Sequence, residues 1–147
     1  MSILIDTNIL LRSVQPSNPM HPSAVRALEI LMEREEALVV ALQNVVEFWN
    51  VATRPIVNNG LGFTIEEARE EIVKIEGFFK VLYENEASYA AWKTLVITNR
   101  VNGVQVHDAR LAAVMTTYGV SQIVTFNVKD FTRFSGIEVV HPDDVKV

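Results

Sequence analysis

The sequence predicts an α/β fold, a three-layer α/β/α sandwich around a mostly parallel central sheet. Three observations predict it. Short apolar runs at 2–6, 37–42, 80–83, 122–126 and 137–140 are separated by longer stretches of helical character. Alternation of that kind builds βαβ units, in which strands run parallel and helices cover both faces of the sheet. The first apolar run, Ile3-Leu4-Ile5, also ends in a carboxylate, Asp6, with Thr7-Asn8 directly after it. In open α/β sheets ligands bind beyond the carboxyl ends of the strands. A buried unpaired carboxylate is costly, so packing gives no reason for Asp6 to stand there.

The elements follow in order. Residues 2–6 read as a buried strand and 8–14 as a short helix. Pro16, Pro19 and Pro22 make the next stretch a loop. Val25, Leu28, Leu31 and Met32 give 23–34 a helical apolar face. The run 37–42 is the second strand, and a helix over 44–53 has to end before Pro55. Residues 55–63, with two Gly and two Asn, read as a mobile loop. Thr64 and Glu67 have the spacing of a reciprocal N-terminal cap and open a helix to about 79. After a short strand at 80–83, Asn85 caps a helix to about 100. Asn102-Gly103 is a turn, 106–118 a helix stopped by Gly119, and 122–126 and 137–140 are the last strands.

The 147 residues suffice for one domain, 1–147, with a full core. Hydrophobic residues at 49% and charged residues at 21% place the chain among folded proteins. With no cysteine, disulfides, zinc–thiolate sites and thiol catalysis are excluded. No run approaches the roughly 20 apolar residues of a membrane span, and the start lacks the pattern of a signal peptide. The expectation is a soluble, cytoplasmic protein that makes no use of a membrane. A net charge of −5 counts against a passive grip on nucleic acid. It does not count against an enzyme that gathers acids around cations, because bound cations invert the local field.

Four acids fall at strand ends or helix starts on this reading: Asp6, Glu47, Asp108 and Asp130. Parallel strands put all of them on one edge of the sheet. Two carboxylates about 4 Å apart repel by about 4 kcal/mol at an effective dielectric of about 20. A cluster therefore needs cations or raised pKa values. Hard divalent cations with oxygen ligands, Mg²⁺ or Mn²⁺, suit such a set, and phosphodiester hydrolysis is the chemistry that follows. Each acid also has a plainer reading: Asp108 as a helix N-terminal acid complementing the dipole, Asp130 as a loop acid. Glu29, Glu33, Glu35, Glu66, Glu70 and Glu76 read as solvated surface.

Taken together, Ile3-Leu4-Ile5-Asp6-Thr7-Asn8, the Asn44-x-x-Glu47 helix, Asp108-Ala109-x-Leu111-Ala112-Ala113 and Thr125-x-Asn127-x-x-Asp130-Phe131 resemble the PIN-domain ribonucleases. The resemblance spans nearly the whole chain and points to VapC-type toxins of bacterial toxin–antitoxin pairs. It implies a Mg²⁺- or Mn²⁺-dependent endoribonuclease with metal-site acids at Asp6, Glu47 and Asp108, and with Thr7 and Thr125 as supporting hydroxyls beside Asn8 and Asn44. It also implies an RNA substrate, a small antitoxin partner and a homodimer. Many members carry an acid where this chain has Asn127, whose carbonyl accepts a contact but adds no charge. Asp130 is the candidate to take over that role.

Two other readings stand beside this one. A PIN scaffold that only binds RNA or protein is kept open by Asn127. A phosphate-transfer enzyme shares the early strand-end Asp. The haloacid dehalogenase kind requires Asp-x-Asp where this chain has Asp6-Thr7-Asn8, and a receiver requires an Asp after a third strand. Arg12, Arg54, Arg110, Lys129 and Arg133 are the cations nearest the acids in sequence, each a candidate to bind phosphate, with surface solubility as the default role. His107 is expected to point about 100° away from Asp108 on its helix. Trp49 and Trp92 read as core or interface anchors. Leu61, Phe63, Ile72, Ile75, Phe78 and Phe79 are candidates for a dimer or antitoxin surface, or for the core itself.

Overall fold

The computed structural model describes residues 1–147. Five strands, β1 (Ser2–Ile5), β2 (Ala37–Ala41), β3 (Lys80–Leu82), β4 (Gln122–Val124) and β5 (Glu138–Val140), form one sheet in the order β3-β2-β1-β4-β5. Every pairing in it is parallel. A receiver of the flavodoxin-like kind has the order 2-1-3-4-5. The observed order departs from it, and the receiver reading loses its scaffold.

Six α-helices connect the strands: α1 (Thr7–Ser13), α2 (His21–Glu33), α3 (Leu42–Thr53), α4 (Ile65–Phe78), α5 (Glu86–Thr98) and α6 (Val106–Tyr118). None is long and apolar enough to cross a membrane. Successive strand residues point to opposite faces, and the sheet uses both. Ile3, Ile5, Leu38, Val40 and Val124 pack with Ile9, Leu10, Leu28, Leu31, Phe48 and Ile75 from α1 to α4. On the other face Leu4, Val39, Leu82 and Ile123 pack with Leu111, Val114 and Met115 of α6. This is the three-layer sandwich that the alternating runs predict.

The parallel register positions the carboxyl edge. Ile5 pairs with Val124, and Leu4 with Val39. One step further along each strand brings Asp6 beside Thr125, with the Asp6 amide donating to the Val124 carbonyl at 3.1 Å. Helices leave the strands with almost no intervening loop: α1 starts at Thr7 rather than at residue 8, and α3 at Leu42 rather than at 44. Helix α2 likewise starts earlier than residue 23, at His21. Its Pro22 lies in the first turn, where a missing N–H is tolerated.

The stretch 55–63 is not the mobile loop its composition suggests. Residues Ile56–Asn58 form a 3₁₀ turn. The following segment then folds back to cap α3: the amides of Leu61, Gly62 and Phe63 donate to the carbonyls of Val51, Arg54 and Ala52 at 3.0, 2.9 and 2.8 Å. Gly60 is required there, because a Cβ at that position would sit 1.9 Å from the Arg54 carbonyl oxygen. The proposed apolar surface is also mostly internal. Ile75 and Phe79 are buried in the core, and Leu61, Phe63 and Ile72 pack against it. Only Phe78, 65% exposed, is free.

Gly60→Ala is expected to destabilise the chain by about 3 kcal/mol, since backbone and not a flexible side chain has to move. Gly77→Ala, in α4 with nothing within 4 Å of its Cβ position, is expected to stabilise by about 0.5 kcal/mol. Urea denaturation of both variants checks the contrast.

Candidate metal centre

The site is built outward from Asp6. The residue has extended backbone (φ −73°, ψ 157°) and caps α1, its Oδ1 accepting from the Thr7 amide at 2.8 Å. Its other oxygen accepts from the Thr125 hydroxyl at 2.7 Å, so neighbouring strand ends are joined through the side chains. Thr125 is fully buried, and its Oγ1 also accepts from Asn8 Nδ2 at 3.2 Å and from the Asn127 amide at 3.0 Å.

Asn44 makes the corresponding link on the β2 side. Its Oδ1 accepts from the Ala41 amide at 2.8 Å, closing the turn from β2 into α3. Its Nδ2 donates to Thr7 Oγ1 at 3.1 Å and reaches Asp6 Oδ1 at 3.4 Å. Thr7 in turn donates to Glu47 Oε2 at 2.9 Å. Asn44 has no exposed surface, which is tolerable because both ends of its amide are satisfied. The sequence pattern marks Thr7, Asn8, Asn44 and Thr125 as supporting groups, and all four hydrogen-bond around Asp6 and Glu47.

A cavity of about 370 Å³ opens above this network, lined by Asp6, Glu47, Asp108, Asn127 and Asp130. All the sequence-derived acids therefore reach one cleft at the carboxyl edge of the sheet. Gln43, Asn50, Arg54 and His107 line it as well; Arg54 is one of the five cations expected near the acids, while Gln43 and Asn50 lie outside the sequence-derived set. Gln43 Nε2 donates to Glu47 Oε1 at 3.1 Å and to the His107 carbonyl at 3.0 Å. It thus ties α3 to the first turn of α6, next to Asp108. The expected orientation of His107 away from Asp108 does not take it out of the cleft.

Burial and mutual repulsion act on these acids together. Desolvation pushes Asp6 up to about 6 despite its hydrogen bonds to Thr125 and Thr7, and Glu47 and Asp130 raise it further. Asp108 also rises to about 6, first through burial, then through Asp130, Asp6 and Glu47. No three carboxylate or imidazole groups are drawn into a ready-made ligand set. The donor chemistry nevertheless fits a hard cation: the acids and Asn127 offer oxygens alone, and their stress is of the kind a positive charge relieves. An open set of oxygens would leave a bound cation several of its waters, a coordination that Mg²⁺ accepts.

The sign of the pH effect follows from the direction of the shift. A carboxyl raised in the folded state stabilises the fold below its unfolded pKa, and that stability is lost as pH rises through the folded value. For Asp6 the window runs from 3.8 to about 6. Without divalent cations, Asp6→Asn is expected to stabilise the chain at pH 7 by about 2–3 kcal/mol, and to have little effect near pH 4. Thermal melts of both proteins across this range, in EDTA, check it.

The PIN domain family matches residues 3–137 of the chain. No curated protein matches its sequence. Among solved structures, it is similar to VapBC2 from Rickettsia felis bound to a promoter DNA fragment, with TM-score 0.71 and 14% identity over 96% of this chain and 98% of that one. It is similar to VapBC-1 from nontypeable Haemophilus influenzae, with TM-score 0.69 and 19% identity over 97% and 99%. A third is VapC20 of Mycobacterium tuberculosis, a toxin cleaving the sarcin–ricin loop, with TM-score 0.59 and 17% identity over 82% and 86%. At these identities the solved structures speak for the fold alone, whereas the family match covers most of the chain in sequence. With its five-stranded parallel sheet and the acids of its carboxyl edge, the chain belongs to the PIN domain family.

Proposed function

We propose that residues 1–147 act as one PIN-like domain, a Mg²⁺- or Mn²⁺-dependent endoribonuclease and the toxin of a type II toxin–antitoxin pair. The observation that carries this reading is the shared cavity of Asp6, Glu47, Asp108 and Asp130, with Asp6 and Asp108 both pushed up to about 6. Asp6, Glu47 and Asp108 are the residues to hold a first cation. Asn127 and Asp130 are the residues to complete a second, more weakly. When bound, the cation supplies charge neutralisation at the phosphodiester and acidifies water for the attack.

The chain's own groups do the positioning. Thr125 and the Thr7 amide fix both oxygens of Asp6. Thr7 and Gln43 hold the two oxygens of Glu47. The carboxylates are thus oriented before any ligand arrives, which spares the ordering cost at the moment of binding. Pairing with a small antitoxin, and with a second copy of this chain, belongs to the same reading. It is supported by similar folds solved as toxin–antitoxin complexes, including one from Klebsiella pneumoniae. An apolar groove lined by Leu10, Val14, Leu28, Met32, Phe48 and Phe78 supports the antitoxin part. The reading places the protein in the cytoplasm, where its RNA is.

One observation favours a second reading. The absence of a tight ligand set is what a scaffold that binds RNA or protein without cleaving it would show. Cleavage of a labelled RNA separates the two. The wild type is expected to cut in Mg²⁺ or Mn²⁺ and to stop in EDTA. Asp6→Asn and Asp108→Asn are expected to lose at least about 100-fold in rate with the fold intact. EDTA-resistant cutting, or cutting by Asp6→Asn at the wild-type rate, overturns the nuclease reading.

A further inference from the structure

We infer that Arg54 is the residue with which this chain holds an RNA phosphate beside the acidic cavity. The inference deepens the ribonuclease reading and rests on it. Five cations lie near the acids in sequence, and the structure separates them. Arg110 is tied to Glu84 at 2.6 and 2.8 Å. Arg133 is held by Gln105 at 2.6 Å, and Arg12 donates to Gln15 at 2.7 Å. Lys129 is exposed and lines no part of the cleft. Arg54 alone of the five lines the acidic cavity. Its guanidinium forms none of the chain's hydrogen bonds and none of its ion pairs, which are Arg34–Glu36, Lys74–Glu71, Arg110–Glu84 and His141–Asp143.

The position is constructed. Residues 47, 50, 51 and 54 follow helical spacing along one face of α3 and its end, and all four line the cavity. The Arg54 backbone is pinned by the Gly62 amide at 2.9 Å and by Gly60, whose missing Cβ makes room for the Arg54 carbonyl. The result is a partly buried arginine fixed at its root and lining a cleft of four carboxylates, with its guanidinium more than 4 Å from any of them. An arginine fork offers five donors in the geometry a phosphate accepts. In a chain of net charge −5, it is the one arginine at the cleft still free to receive an anion.

The experiment is fluorescence anisotropy of the full chain with a short labelled oligouridylate in Ca²⁺, titrated over a salt series, with RNA integrity followed on a gel. Lys93→Ala, which removes the same charge from exposed α5, is the control. Arg54→Ala is expected to bind roughly fivefold more weakly, with a salt slope shallower by about 0.7, one single-strand phosphate contact. Arg54→Lys is expected to keep the slope and lose part of the affinity, while Lys93→Ala binds as the wild type. Arg54→Gln, which keeps the stem, replaces Arg54→Ala should the latter melt at a lower temperature. Wild-type affinity and slope in Arg54→Ala overturn the inference. So does an equal loss in Lys93→Ala, or tighter Mn²⁺ binding with unchanged RNA binding, which would make Arg54 a charge balance for the acids. Failure of the nuclease reading is seen separately, as wild-type protein that leaves the RNA uncut in Mg²⁺ and Mn²⁺ while the anisotropy series still reports on Arg54.

Discussion

The carboxylate of Asp6, held at the junction of β1 and α1, is the constraint on which the rest of the site depends. Hydrogen bonds to a charged group stabilise by about 1.5–3 kcal/mol each, and Asp6 accepts short ones from Thr7 and Thr125. Taking an ion out of water costs several kcal/mol even after relaxation. The upward shift of Asp6 shows that burial wins in the bare protein. The hydrogen bonds therefore fix direction more than they supply stability. A group held in place but short of positive charge is preorganised for a cation.

That arrangement is a product of parallel register. Asp6, Asn44 and Thr125 are 38 and 119 residues from one another along the links Asn44–Asp6 and Thr125–Asp6. They meet because β1 lies between β2 and β4 with all three strands ending at the same edge. Two side-chain amides then carry the network outward. Asn44 joins the β2–α3 turn to Thr7, and Gln43 joins Glu47 to the start of α6. Helix α6 is anchored from its other end by an apolar face of Leu111, Val114 and Met115 against the sheet. Asp108 is thus placed by packing and by Gln43, since its own carboxylate forms no hydrogen bond within the chain.

The strands and the acids were legible because their signals are local. Ile3-Leu4-Ile5 before Asp6, or Thr64 with Glu67, needs only a few residues to be read, and both appear as expected. The segment 55–63 misled because glycines and asparagines read as freedom. Here Gly60 serves close approach to the Arg54 carbonyl, a long-range demand invisible in composition. Leu61, Phe63 and Ile72 stayed open between surface and core for the same reason: the core they join is assembled from α1, α2 and α3, distant in sequence. Gln43 and Arg54 carried a weak signal, the helical spacing of 43, 47, 50 and 54. Nothing in the sequence alone distinguishes a glutamine that bridges two helices from one in water.

Charge explains why the unpaired arginine matters. On the proposed reading the substrate is a polyanion, and the cleft it would enter is lined by four carboxylates. At physiological ionic strength charges beyond about 8 Å are largely screened, so the net −5 of the chain matters less at the cleft than the groups lining it. A divalent cation bound there would change the sign of that surface locally, but held among the acids it would neutralise only one phosphate. A neighbouring phosphate needs a partner outside the acid cluster, with its charge not already spent. Glu84 has taken Arg110, raising the guanidinium's pKa through their hydrogen bond and leaving little free charge there. On α3 no acid has taken Arg54. The fold keeps one arginine and four acids in the same cleft without pairing them, which leaves the arginine open to an anion and the acids open to a cation.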